Sequence, residues 1–219
     1  MKLLLLSLLA VAAPPSTPRP DSAGDAREIL RVVTAFQVRV HRAAEIGPPP
    51  CVRPRVGNAS LGGARKRIEA FEAPRPVKPM PPVTHGPVTV INSAEIRLSP
   101  FRNWRRLADD HPGAIEMGHE LPAPEAKRLG DAERALMMAP LQPRRVKTLD
   151  AAWLDRPLAF CPGSEGQPEL AISSPAISGG FAFVEVEFHC VLCGQGVTLA
   201  LARRGGGWEI VAAAHRWVS

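Results

Sequence analysis

Two consecutive stripes of alternating side chains near the C-terminus constrain this chain more than any other feature. In Phe181 to Phe188, Ala182, Val184, Val186 and Phe188 fall on one side, and Glu185 and Glu187 on the other. Side chains alternate across a β-strand, so the segment predicts a half-buried strand. The loop HCVLCGQG (189–196) leads into a second stripe, Val197, Leu199 and Leu201. Arg203-Arg204-Gly205-Gly206-Gly207 supplies residues that tolerate the positive φ angles of a tight reversal. Trp208-Glu209-Ile210-Val211 then returns, and Trp217-Val218 closes the chain. Residues 181–218 are expected to form an antiparallel three-stranded meander with Val184, Val186, Val197, Leu199 and Trp208 on its covered face. Trp208 should pack near Leu199 or Leu201. Glu185, Glu187 and Glu209 should stay toward water or find basic partners; a solvated sheet face is the plain reading for the first two.

Such a meander needs a covering layer, and two segments have helical spacing. From Asp25 to about Ala44, Ile29, Val32, Val33, Phe36 and Val40 recur on one face, with Asp25 and Glu28 placed to cap. In Pro124 to Met138, Ala126, Leu129, Ala132, Leu136 and Met137 do the same. Shorter elements are expected as strands at Val88–Ile91 and Leu170–Ser173, as a short helix holding Trp104 and Leu107, and somewhere in 146–154. Residues 47–87 carry ten prolines, interrupted by a basic, helix-prone stretch from Leu61 to Phe71. Proline cannot donate to a sheet ladder, so this segment is expected to add little to the core, and PRPVKPMPP (74–82) to run as an extended connector. The fold class is α+β: a small antiparallel sheet backed by one or two helices, with proline-rich irregular extensions.

The N-terminus places this domain in a compartment. Lys2, the apolar run Leu3 to Leu9 with its single Ser7, and the small residues Ala10, Ala12 and Ala13 before Pro14-Pro15 are the three parts of a secretory signal peptide. The run is shorter than the roughly 20 residues a membrane span requires. The organisation is therefore a signal peptide at 1–13, a flexible lead-in at 14–24 and a single α+β domain over 25–219, exported to the periplasm or beyond. The formal charge of +6 comes from 27 basic residues, of which only five are Lys, and accompanies 24 prolines and no tyrosine. That usage fits a GC-rich coding bias, so the basic balance alone does not indicate a nucleic-acid partner. The densest cluster, Arg65-Lys66-Arg67, has only Phe71 nearby to stack on a base. The expected partner is a protein or cell-envelope component, with no nucleic acid and no integral membrane span.

PGSEGQPELAISSPAI, FAFVEVEFHCVLCGQG and the glycine turn before Trp208-Glu209-Ile210-Val211, ending in Trp217-Val218-Ser219, together resemble a family of uncharacterised exported bacterial proteins. In that family a Cys/Gly loop of the form C-G-x-L-C-G precedes a G-x-W-x-V return strand and a W-x-S ending. Here Cys190 and Cys193 are separated by two residues rather than three. The resemblance covers roughly residues 160–219 and implies no activity. A looser likeness to the curved sheets of cystatin-like and nuclear-transport-factor-2-like folds implies a cup beneath the meander.

Export favours disulfides among Cys51, Cys161, Cys190 and Cys193, and four cysteines permit three pairings. The C-x-x-C of Cys190 and Cys193 lies between strands rather than at a helix N-terminus, which disfavours a redox role. His189, Cys190, Cys193 and His215 are zinc-type donors without a zinc-type spacing. Asp109, Asp110, His111, Glu116, His119 and Glu120 crowd twelve residues, yet match neither a calcium loop nor H-E-x-x-H. No nucleophile elbow, S-x-x-K, phosphate loop or dinucleotide fingerprint is present. No catalytic residue, metal ligand or cofactor is therefore assigned. The sequence points to an exported accessory protein, a non-enzymatic binding or structural module. One alternative is a small periplasmic enzyme or redox protein using the Cys190/Cys193 loop or the Asp109–Glu120 cluster. Another is a binder of a small apolar ligand in a cup lined by Val184, Val186, Leu199 and Trp208.

Overall fold

The computed structural model describes residues 23–44, 49–58, 61–73, 101–108, 115, 118–162, 167–190 and 194–218. The signal peptide expected at 1–13, most of the lead-in expected at 14–24 and the strand expected at Val88–Ile91 lie outside them. Helix α1 spans Ala23–Ala44, and strand β1 spans Cys51–Val52. Helix α2 (Arg65–Glu72), the two-residue strands β2 (Arg105–Arg106) and β3 (His119–Glu120), and helix α3 (Ala123–Met138) follow. A single 3-10 turn at Ala151–Trp153 precedes β4 (Glu169–Ile172), β5 (Ala176–Ser178), β6 (Phe181–His189), β7 (Gly194–Arg204) and β8 (Gly207–Val218).

The strands form one α+β sheet in the order β1-β4-β6-β7-β8-β2-β3, with β5 beside β6. Pairing is antiparallel except between β1 and β4. The meander of β6, β7 and β8 runs as the alternation requires. Val184 faces Leu199 and Val186 faces Val197 across the first pair. The second reversal is the two-residue turn Gly205-Gly206, at φ of 57° and 91°, a region open to glycine at little cost. The α1-facing side of the sheet joins Ala182, Val184, Val186, Leu199, Leu201 and Trp208 to Ile29, Leu30, Val33 and Phe36 of α1, with Val197 partly buried against them. Trp208 sits opposite Arg203 and shares this cluster with Leu199 and Leu201, while its Nε1 donates to Asp25 Oδ1 at 3.3 Å.

Three expectations need correction. First, residues 47–87 do enter the core in their described part. Cys51, Val52, Val56, Leu61, Ala64 and Ile68 are buried, and β1 pairs with β4. Only Pro54 lies within 51–58, so the other amides remain donors, and Val52 N bonds Ala159 O at 2.8 Å. The Cys51–Cys161 disulfide, across 110 positions, fastens this segment to the domain. Second, Trp104 and Leu107 flank strand β2 rather than forming a helix, because Arg105 pairs with Ala213 of β8 and Glu120 of β3.

Third, the Glu185 face is not solvated. The other side of the sheet packs Phe181, Phe183, Ala200, Ala202 and Ala212 against Leu129, Ala132, Leu136 and Met137 of α3 and Ile68 of α2. Glu185 is 4% exposed and Glu133 of α3 is fully buried. Arg102 joins them: Nη1 lies 3.0 Å from Glu133 Oε1, Nη2 lies 3.3 Å from Glu185 Oε1, and Nε donates to Thr198 Oγ1 at 2.9 Å. Trp104 Nε1 donates to Glu133 Oε2 at 2.8 Å, and Arg216 Nε approaches Glu185 at 3.5 Å. A buried carboxylate needs such partners because desolvation otherwise opposes its charge.

Removing the shared cation should therefore be costly. Arg102→Met is expected to lower the unfolding free energy by about 3 kcal/mol, because it leaves two carboxylates under-compensated. Adding Glu133→Gln and Glu185→Gln should recover much of that loss in urea titrations. A loss below about 1 kcal/mol for Arg102→Met would mean that the network contributes no more than a surface pair.

Candidate functional site

Phe101 and Trp104 pack against the α3-side cluster and lead directly into β2 beside β8. The pairing of Arg105 with Ala213 sets Leu107 against the cluster under α1, while Arg106 turns toward Glu125 of α3. There the molecule has an open groove of about 1030 Å³. Phe36, Arg39 and Arg42 line one wall, being three residues apart and so on one face of α1. Arg106, His119 and Arg204 line the other, delivered by β2, β3 and the end of β7. Leu107 and Ile210, both partly buried, supply apolar surface between them.

The cations are unevenly compensated. Glu125, in the first turn of α3, is forked between two of them: Arg106 Nη2 lies 3.2 Å from Oε2 and Arg204 Nη2 lies 2.5 Å from Oε1. Arg204 also reaches Glu209 at 3.7 Å. Arg39 lies over the Phe36 ring, 5.6 Å from its centroid. Among the described residues no carboxylate is at ion-pair distance from Arg39 or Arg42. Arg42, in the last turn of α1, offsets the helix dipole; Arg39 is about a turn earlier.

Guanidinium groups stay charged at any physiological pH and present planar forks to carboxylates and phosphates. The described groove residues include no serine, cysteine, lysine or carboxylate to act as nucleophile or base, and His119 is their single proton-transfer group. The wall can hold an anion.

The edge beside the groove is also blunted against strand addition. Among the described residues β8 meets β2 only at Ala213. Near its start, Trp208 N is occupied by Glu28 Oε1 at 3.2 Å, and the β7–β8 register shifts between Ala200 and Leu201. A side-chain acceptor and a bulge are both devices that discourage edge pairing.

Apart from His119, which lines the groove, the residues singled out in the sequence fall elsewhere. Val186 and Leu199 line a cavity of about 30 Å³ between α1 and the sheet, room for water rather than for an organic ligand. Val184 and Trp208 are packed into the core instead, because Ile29, Val33 and Phe36 of α1 occupy the cup. Cys51 pairs with Cys161, so both sulfurs near Glu169 are unavailable as thiolate ligands. Cys190 is disulfide-bonded, and Cys193 lies outside the described residues. His189 sits 3.4 Å from Glu187 rather than in a ligand set, and His215 pairs across the sheet with Val197. Of the polar cluster, His119 and Glu120 are exposed on β3, while Asp109, Asp110, His111 and Glu116 are outside the described residues.

The groove itself escaped sequence reading. Its arginines come from positions 39, 42, 106 and 204 and form no linear motif, and high Arg usage hid them. The three-residue spacing of Phe36, Arg39 and Arg42 was the one local signal. No family model, curated protein or solved structure matches the chain.

Proposed function

We propose that this protein is an exported, non-enzymatic binding module whose arginine-lined groove holds an anionic partner of the cell exterior. The observation that carries the reading is the convergence of Arg39, Arg42, Arg106 and Arg204 on one open groove, with two of the four lacking a described counter-ion. The N-terminal segment supports export, as does the Cys51–Cys161 disulfide, a bond favoured in oxidising compartments. No helix among the described residues is long and apolar enough to cross a membrane.

Titration with poly-L-glutamate tests this reading. The wild-type protein should bind, and binding should weaken as ionic strength rises from about 0.05 M to about 0.3 M. Arg39→Ala combined with Arg42→Ala should reduce affinity by about tenfold or more. Both side chains are exposed, so melting should change little. Equal affinity in the variant would refute the assignment.

A further inference from the structure

We infer that the occupant of the groove is an extended polypeptide segment in which acidic residues alternate with aliphatic ones. This inference rests on the binding reading above and specifies its ligand. Three features select such a segment. The basic side chains stand on two walls, whereas Leu107 and Ile210 lie between them, so one ligand must satisfy both cationic and apolar surface. In an extended chain successive side chains point to opposite sides. One set can therefore reach the apolar strip while the other meets the guanidinium groups.

A buried carboxylate outside the groove lining also contacts two of its arginines. Glu125 places one oxygen on Arg106 and the other on Arg204, so the local arginine spacing suits that group. Finally, a volume of about 1030 Å³ far exceeds what a single inorganic anion fills. The blocked edge at Trp208 N means that the segment docks by its side chains, not as a ninth strand.

Two peptides of equal length and charge separate this inference from the broader reading. One alternates Glu with Leu and the other alternates Glu with Ser. The Glu-Leu peptide should bind at least about tenfold more tightly, the effect of removing several aliphatic groups from water. Ile210→Thr should narrow that ratio without weakening the Glu-Ser peptide. Equal affinities would overturn the inference while leaving an anion-binding groove intact. Tighter binding of polyphosphate or of an oligonucleotide of matched charge would also overturn it. If neither peptide nor poly-L-glutamate binds, the groove reading itself fails.

Discussion

Val186→Asp is expected to abolish folding under ordinary conditions. Val186 is 4% exposed, lies opposite Ile172 on one neighbouring strand and Val197 on the other, and belongs to the cluster under α1. Its described neighbours in that cluster are apolar, so an aspartate there would be buried without a cation. The strand cannot escape by slipping one residue, because that would turn Glu185 and Glu187 toward α1 and strip Glu185 from Arg102. The expected loss is about 5 kcal/mol or more, comparable to the whole stability of many domains. Circular dichroism and urea titration would show an unfolded chain. Glu187→Gln, on a partly exposed side chain paired with Arg216 at 2.7 Å, should cost about 1 kcal/mol or less. Near-equal effects of the two changes would contradict the register.

Loss of the long-range disulfide should be nearly as damaging. Cys51 and Cys161 are 110 positions apart, and closing a loop of that length restricts the unfolded chain by about 4–5 kcal/mol in the entropy model. Cys51→Ser with Cys161→Ser should lower the denaturation midpoint accordingly, and reduction, which also opens the bond at Cys190, should lower it at least as far. Backbone bonds along Cys51 to Gly57, among them Val52 N to Ala159 O at 2.8 Å and Gly57 N to Ile172 O at 2.9 Å, hold the segment once folded but do not restrict the unfolded chain. They cannot replace the covalent tie. A loss below about 1 kcal/mol would show that the unfolded chain is not appreciably constrained by it.

The parts of this fold legible in the sequence are those whose signal is local. The period of two in Phe181 to Phe188, the glycine turn and the helical spacing of Ile29, Val33 and Phe36 each act over fewer than a dozen residues. The buried Glu185 face was not legible, because its compensation comes from Arg102, 83 positions away. A hint existed in β7, where Thr198, Ala200 and Ala202 alternate with Val197, Leu199 and Leu201. Small apolar residues where a solvated face would carry charge indicate a strand covered on both sides. The proline count likewise misled about Cys51 to Val56, since prolines cluster in 48–50 and beyond 73 and leave a pairing-competent stretch between them. Residues that meet only through the fold, as the four groove arginines do, leave no periodic trace.

Mapping backbone amide shifts by nuclear magnetic resonance during titration with the Glu-Leu peptide tests the central claim most directly. Perturbations should concentrate at Arg39, Arg42, Arg106, Leu107, His119 and Ile210, and in the Arg39→Ala, Arg42→Ala variant should require about tenfold or more peptide to reach the same extent. Perturbations centred instead on the Cys51–Cys161 end or on the loop after His189, or none at saturating peptide, would contradict the groove as the binding site.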